Sequence, residues 1–205
     1  MSPRTQPLMR AWWLWLAFFS GMAFSMWAEE ALLSFHDNQL RLTTPRIHFL
    51  TGKPLERLRN AAEVPFDFQI TLFTSGRNRI ERRTAARFVV SYDLWEEKFS
   101  VTSLTGARKS TKHLSTQAAE TWCLEQMPFD AVGLGETDPF FVRLEVRAQQ
   151  ARSGPPLFGR GDISESGISL NGLVEIFSRP VQSDQPHWSV ESGPFTLAQL
   201  RRGRV

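Results

Sequence analysis

An arginine-rich connection is the most concentrated set of chemically capable side chains in the sequence. It lies between two predicted strands, at residues 75–87, and Glu81 is its only acid. Guanidinium groups bind phosphates, anionic lipid heads and carboxylates through planar sets of N–H donors. The connection therefore predicts an anion-binding or partner-binding loop, although an ordinary solvated loop is the simpler interpretation. The candidate contact residues are Arg77, Arg79, Arg82, Arg83 and Arg87.

The usual sequence patterns of catalysis and metal binding are missing. The single cysteine, Cys123, falls on the apolar face of a predicted helix, which favours packing over nucleophilic chemistry. The four histidines are scattered, and none stands at metal-ligand spacing from an acid or from Cys123. Neither a nucleophile-elbow serine motif nor a phosphate-binding glycine loop occurs. We therefore predict a protein that is not an enzyme, with no catalytic residue, no cofactor and no metal site.

Three carboxylates near one predicted hairpin carry the alternative, enzymatic hypothesis. Asp93 lies near the end of the predicted strand at 88–94, and Glu96 and Glu97 stand in the turn that follows it. Acids in turns are commonly just solvated, so an enzyme with a site assembled from dispersed acids is the second hypothesis.

The first 28 residues have the pattern of a secretory leader. Arg4 and Arg10 form a positively charged start, residues 11–19 are an apolar run, and small residues follow. An uncleaved membrane anchor is the alternative, because residues 11–28 carry no charge and would reach about 27 Å as a helix. Under either interpretation the remaining chain lies outside the cytoplasm, in the periplasm or on the extracellular face of the membrane.

The charge balance offers little support for a nucleic-acid partner. The formal net charge is +3, and removal of Arg4 and Arg10 with the leader lowers it to +1. Nucleic-acid-binding domains instead concentrate basic residues on one face. We therefore expect no nucleic-acid partner, and we expect membrane contact only if the leader is retained.

Alternating apolar and polar residues predict the strands that position these side chains. Such alternation is typical of an antiparallel sheet with one face buried and one face in water. The tight connection at 94–98 predicts a hairpin. Two further strand-like stretches lie at 39–44 and 46–50. The clearest alternation is found at 66–72, 88–94 and 99–102, and a further one-sided strand is predicted at 140–148.

Helical spacing predicts two or three short helices between these strands. The first covers 55–62, the second is capped by Ser115 or Thr116 and runs to Met127, and a weaker third covers 168–177. The predicted fold is therefore α+β, an antiparallel β-sheet with the helices on one face, and a β-sandwich is the alternative. We predict a leader at 1–28, a single domain at 29–180 and a loop-rich basic C-terminal tail at 181–205.

The order of these elements forms a pattern of its own. A strand Val64-Pro-Phe-Asp-Phe-Gln-Ile-Thr-Leu72 leads through the arginine-bearing connection to a Tyr-Asp strand, Phe88-Val-Val-Ser-Tyr-Asp-Leu94. A capped helix at 115–127 and a late strand at 140–148 follow. Over roughly residues 30–180 the chain resembles an uncharacterised bacterial family, domain of unknown function 4390. The resemblance implies an extracytoplasmic location and no established activity, cofactor or catalytic residue.

The leading functional hypothesis is an exported, noncatalytic binding or accessory domain of the bacterial envelope. Its expected partner is another envelope or membrane protein. The third hypothesis, after the enzyme, is a binder of anionic lipid or another polyanion through residues 77–87.

Overall fold

In this computed structural model, nine β-strands and four short helices make up the described part of the chain. The strands are β1 Leu32–His36, β2 Gln39–Thr43, β3 Val64–Thr74, β4 Arg79–Asp93, β5 Lys98–Ser103, β6 Lys109–Leu114, β7 Phe129–Asp130, β8 Phe140–Ala148 and β9 His187–Phe195. The helices are α1 Gly52–Arg59, α2 Thr116–Glu125, α3 Leu170–Ser178 and α4 Leu197–Arg201. The structure describes residues 32–36, 39–43, 47–74, 79–127, 129–150 and 170–203. The predicted leader at 1–28 and Arg77 lie outside the described residues.

The larger sheet is antiparallel throughout and has six strands in the order β6-β5-β4-β3-β8-β9. β3 is central, and it pairs with β4 on one side and with β8 on the other. β4, β5 and β6 form consecutive hairpins, with Asp93 opposite Lys98 at the last pair of the β4–β5 ladder. The predicted α+β class and antiparallel sheet are confirmed, and the structure adds a smaller sheet in the order β1-β2-β7.

Aromatic rings fill the face of the large sheet that packs against the smaller sheet, α1 and α2. Phe68 and Phe88 stand on neighbouring strands with ring centroids 5.1 Å apart, and Phe49 and Trp122 extend this edge-on cluster. Phe49, Phe68 and Phe88 are fully buried. Removing such rings from water is the main favourable contribution to the folding of a domain of this size. The alternating segments of the sequence therefore identify this core face correctly.

The opposite face of the sheet is covered, so the expectation of a wet face is wrong. Asp67, Gln69 and Thr71 alternate with the core residues of β3, yet each is buried. α3 packs over this face against β3 and β4. Arg147 of β8 holds the end of the helix, because its guanidinium donates to the carbonyls of Ile176 and Arg179 at 3.0 and 2.9 Å. A cation at a helix C-terminus also interacts favourably with the helix dipole.

A buried carboxylate explains why residues 47–50 are not the strand that the sequence predicts. Glu120 of α2 is buried, and its side chain accepts a hydrogen bond from the backbone N–H of Leu50 at 2.9 Å. The Nδ1 atom of His48 lies 3.0 Å from the same carboxylate. The segment is thus held to α2 through Leu50 and His48 and has no strand partner among the described residues, so the predicted strand at 46–50 is wrong for residues 47–50.

The C-terminal region is also more ordered than predicted. β9 pairs with β8 at the edge of the large sheet, and Leu197 and Leu200 of α4 join the main core. A side chain at Gly193 would place its Cβ 2.8 Å from the carbonyl oxygen of Phe140, so glycine permits the close approach of the two strands. The interpretation of 181–205 as a loop-rich tail is therefore wrong for 187–201.

Candidate functional site

The tip of the β4–β5 hairpin presents two large apolar side chains to solvent. Its connection, residues 94–97, joins Asp93 to Lys98. Trp95 is 96% exposed, and the adjacent Leu94 is 53% exposed. Tryptophan is highly buried on average, and a neighbouring pair of exposed apolar residues is informative where a single one is not. The hairpin tip, defined as residues 93–98, is therefore the strongest candidate interaction site in the described part of the chain.

Hydrogen bonds from the turn to Asp93 fix the shape of the hairpin tip. The Asp93 Oδ1 atom accepts from the backbone N–H of Trp95 at 2.8 Å and of Glu96 at 3.1 Å. Bonds from the N–H groups of Glu96 and Trp95 also hold the pKa of this carboxyl below its ordinary value. Glu97 has φ +53°, the left-handed conformation that lets the chain return into β5.

The base of the hairpin tip is anchored by a ring pair and by an ion pair. Tyr92 and Phe99 are directly opposite on β4 and β5, and their ring centroids are 4.8 Å apart. The carboxylate of Glu96 contacts Nδ1 of His113 on the neighbouring strand β6. These contacts and the Asp93 turn order the backbone around Trp95 before any partner arrives.

The prediction of a loop at 75–87 is wrong for residues 79–87, because these continue β4, and the role of the arginines as anion or partner contacts stays a prediction. Arg82 and Arg83 are consecutive strand residues, so their side chains point to opposite faces of the sheet. The four described arginines are spread along about 26 Å of strand, from Arg79 to Arg87, at the ordinary rise per residue. The structure therefore does not bring Arg79, Arg82, Arg83 and Arg87 together as one cationic surface.

Three of these four arginines also have acidic partners. The Nε atom of Arg79 lies 3.0 Å from the Glu81 carboxylate, and Arg82 lies 3.9 Å from that of Asp130. Arg82 additionally donates to the carbonyl of Val132. Arg83 is exposed and has no partner among the described residues. Only Arg83 of this set therefore remains available to an anion without loss of an existing pair.

The remaining arginine, Arg87, serves the fold. Its guanidinium binds both oxygens of the Asp67 carboxylate, with Nη2 at 2.9 Å from Oδ2. The Asp67 side chain is 0% exposed, and that of Arg87 is 20% exposed. Gln149 donates a further hydrogen bond to Asp67. A planar, bidentate pair of this kind satisfies a carboxylate that would otherwise be costly to bury.

Cys123 lies where the sequence predicts it, inside the core. It is fully buried on α2, and burial raises the pKa of its thiol far above the ordinary value. A thiol in such surroundings is not ionised at neutral pH and is a poor nucleophile. The interpretation of Cys123 as a packing residue is confirmed.

The acids of the enzymatic hypothesis lie close together but face water at the hairpin tip. Asp93 closes the turn, Glu96 pairs with His113, and Glu97 is exposed. Among the described residues, no group of three or more His, Cys, Asp and Glu side chains is placed to hold a metal ion. Within the same residues, no helix is long and apolar enough to cross a membrane.

Comparisons with protein-family models, with curated proteins and with solved structures found no match. The resemblance to the uncharacterised bacterial family therefore stays a prediction. Function has to be inferred from the geometry of the described residues.

The sequence pattern identifies the acids of the hairpin tip, but it places Leu94 on the apolar face of the strand at 88–94 and gives no role to Trp95. The structure exposes both side chains. The available signal was Leu94-Trp95 between the strand end at Asp93 and the acids Glu96 and Glu97. A turn of this length is solvated, so an apolar pair inside it has no strand neighbour to cover it.

Proposed function

We propose that this protein is an exported, noncatalytic accessory domain of the bacterial envelope that binds another envelope or membrane protein through its hairpin tip. The exposure of Trp95 on an ordered turn carries the proposal. Tryptophan is the residue type most enriched among the few that dominate protein–protein binding energies. A rigid turn lowers the entropy lost when such a side chain is immobilised by a partner.

The hypothesis that the β4 arginines bind a polyanion has less support than the hypothesis that the hairpin tip binds a protein. Arg79, Arg82 and Arg87 would each have to leave an acidic partner before they could bind a phosphate. Affinity for polyanions grows with the number of unpaired cations that face one way. Arg83 alone does not supply that number.

Export is the part of the proposal that depends on the leader. A fusion of residues 1–35 to alkaline phosphatase, which is active only outside the cytoplasm, should give active enzyme, because the leader combines Arg4 and Arg10 with an apolar run. The matched control replaces Leu14 and Leu16 by Asp, which interrupts the apolar run and should abolish activity. A well-expressed but inactive wild-type fusion would contradict the proposed location.

Binding is tested by removing the Trp95 ring. The full-length protein, extracted gently from the envelope, should migrate in an assembly larger than its own 23.4 kDa. The Trp95→Ala variant should migrate mainly at its own mass, because truncation of a central tryptophan typically costs about 2 kcal/mol or more of binding energy, a factor of roughly thirty in affinity. Native gel electrophoresis with antibody detection measures both.

A further inference from the structure

The hairpin tip combines its exposed apolar pair with an excess of negative charge. We infer that it docks into an apolar pocket with a cationic rim on a different protein, an inference that rests on the proposed function. Trp95 and Leu94 would enter the pocket, and the acids around them would meet Lys or Arg side chains at its rim.

The charge of the hairpin tip points to a cationic partner. Asp93, Glu96 and Glu97 place three carboxylates within the tip, against the single ammonium group of Lys98. All four residues are exposed. Asp93 accepts two hydrogen bonds from the turn and Glu96 contacts His113, so Glu97 is the carboxylate of the tip that has no partner among the described residues. Complementary charges around a buried apolar centre accelerate encounter and select the correct partner.

The same charge argues against a lipid surface as the occupant. Tryptophan does enrich at membrane interfaces, but membrane-binding segments usually surround it with Lys and Arg. Anionic lipid heads repel carboxylates, and Glu96 and Glu97 directly follow Trp95. A protein pocket that supplies cations removes this conflict.

The geometry of the tip suits insertion. Asp93 accepts two hydrogen bonds from the turn, and Glu96 is tied to His113 of β6. Trp95 therefore extends from the end of a braced hairpin and not from a flexible loop. The acids flank the ring, which is the arrangement of an apolar centre with a polar rim that protein interfaces commonly show.

Site-specific photo-crosslinking in living cells tests the inference. The full-length protein carries p-benzoylphenylalanine at position 95, and a parallel variant carries it in place of Ile80, which is 45% exposed near the opposite end of β4. We expect one discrete protein adduct from position 95 and far less of it from position 80. Adding Glu96→Lys and Glu97→Lys should lower the yield from position 95 about tenfold, because like charges then face the rim.

A matched charge control separates this local effect from a change in net charge. Glu136→Lys with Asp138→Lys alters two exposed acids that precede β8, at the sheet end opposite the hairpin tip, and should leave the adduct at position 95 unchanged. Thermal unfolding of both double variants checks that each is folded. An adduct at position 95 that is insensitive to both double variants would overturn the cationic rim and leave the proposed function standing.

Three other outcomes would overturn the inference in different ways. Absence of a protein adduct at position 95 would overturn both the docking inference and the proposed function. An adduct that contains two copies of this chain would show that the tip binds a second copy of the protein and not a different protein. The lipid alternative is tested by mixing the wild-type protein with vesicles of phosphatidylethanolamine and phosphatidylglycerol. A blue shift of the tryptophan fluorescence that is absent in Trp95→Phe would show that the tip binds a membrane surface and not a protein pocket.

Discussion

Replacing Arg87 by alanine should lower the free energy of unfolding by about 3–5 kcal/mol, the usual cost of removing one partner of a buried ion pair. The substitution removes the bidentate partner of the Asp67 carboxylate, which is 0% exposed in the folded protein, and leaves Gln149 as its remaining side-chain donor. A buried charge that loses its partner loses most of the interaction that compensated its removal from water. Urea unfolding monitored by circular dichroism measures the change.

Arg83→Ala is the matched control for this prediction. Arg83 stands on the same strand and the same face, but it is exposed and unpaired among the described residues. Its removal should change stability by no more than about 0.5 kcal/mol. The double variant Asp67→Asn with Arg87→Ala should be more stable than Arg87→Ala alone, because the unpaired charge is gone. A loss within about 0.5 kcal/mol for Arg87→Ala would contradict the covered face.

Phe88→Ala should cost a similar amount, about 3–5 kcal/mol, for a different reason. The ring is fully buried between Phe68 at 5.1 Å and Trp122 at 6.0 Å, so its removal leaves a cavity in the aromatic cluster. Such a loss is a large share of the roughly 5–15 kcal/mol by which domains are stable. Thermal and urea unfolding of the purified variant both report it.

Ile80→Ala is the control for the loss of an apolar side chain from the same strand. Ile80 is exposed, and its truncation should cost no more than about 0.5 kcal/mol. We expect Arg87→Ala and Phe88→Ala to lower the free energy of unfolding by similar large amounts, because these neighbouring residues of β4 point to opposite faces of the sheet and both faces are covered. A Phe88→Ala variant as stable as Ile80→Ala would contradict the placement of the core.

Local alternation was sufficient to predict the core strands but not what covers their second face. Asp67 and Gln69 alternate with apolar neighbours, and that pattern specifies a face without specifying whether another element covers it. The cover comes from α3, which begins about 80 residues after Arg87, and from the hydrogen bonds of Arg147 to its end. Contacts of such sequence separation leave no periodic signal near Asp67.

Several strands were not predicted because their residues are mostly polar and show no alternation of apolar and polar side chains. The start of β4 looks like a loop because Arg79, Arg82 and Arg83 interrupt the apolar pattern, yet the long β3 offers a partner for the whole segment. β6 is a polar edge strand, and the charges that blunt such an edge also remove its alternation. β9 carries Ser, Gly and Pro, residues more typical of turns than of strands.

The candidate site was predictable in one part and not in the other. The hairpin and its acids follow from alternation that runs to Leu94 and resumes at Phe99. The exposure of Trp95 depends on the direction of the turn, which hydrogen bonds to Asp93 and the contact of Glu96 with His113 determine. The second of these contacts joins the tip to a strand that the sequence did not predict.

The size of the native assembly with and without the Trp95 ring shows whether the hairpin tip binds the partner. Wild type and Ile80→Ala should both migrate in the larger assembly, whereas Trp95→Ala should migrate at the mass of the chain with an unchanged melting temperature. The unchanged stability follows because Trp95 is 96% exposed and contributes little to folding. An assembly that Trp95→Ala leaves intact would contradict the account, since the hairpin tip would then not be the site that binds the partner.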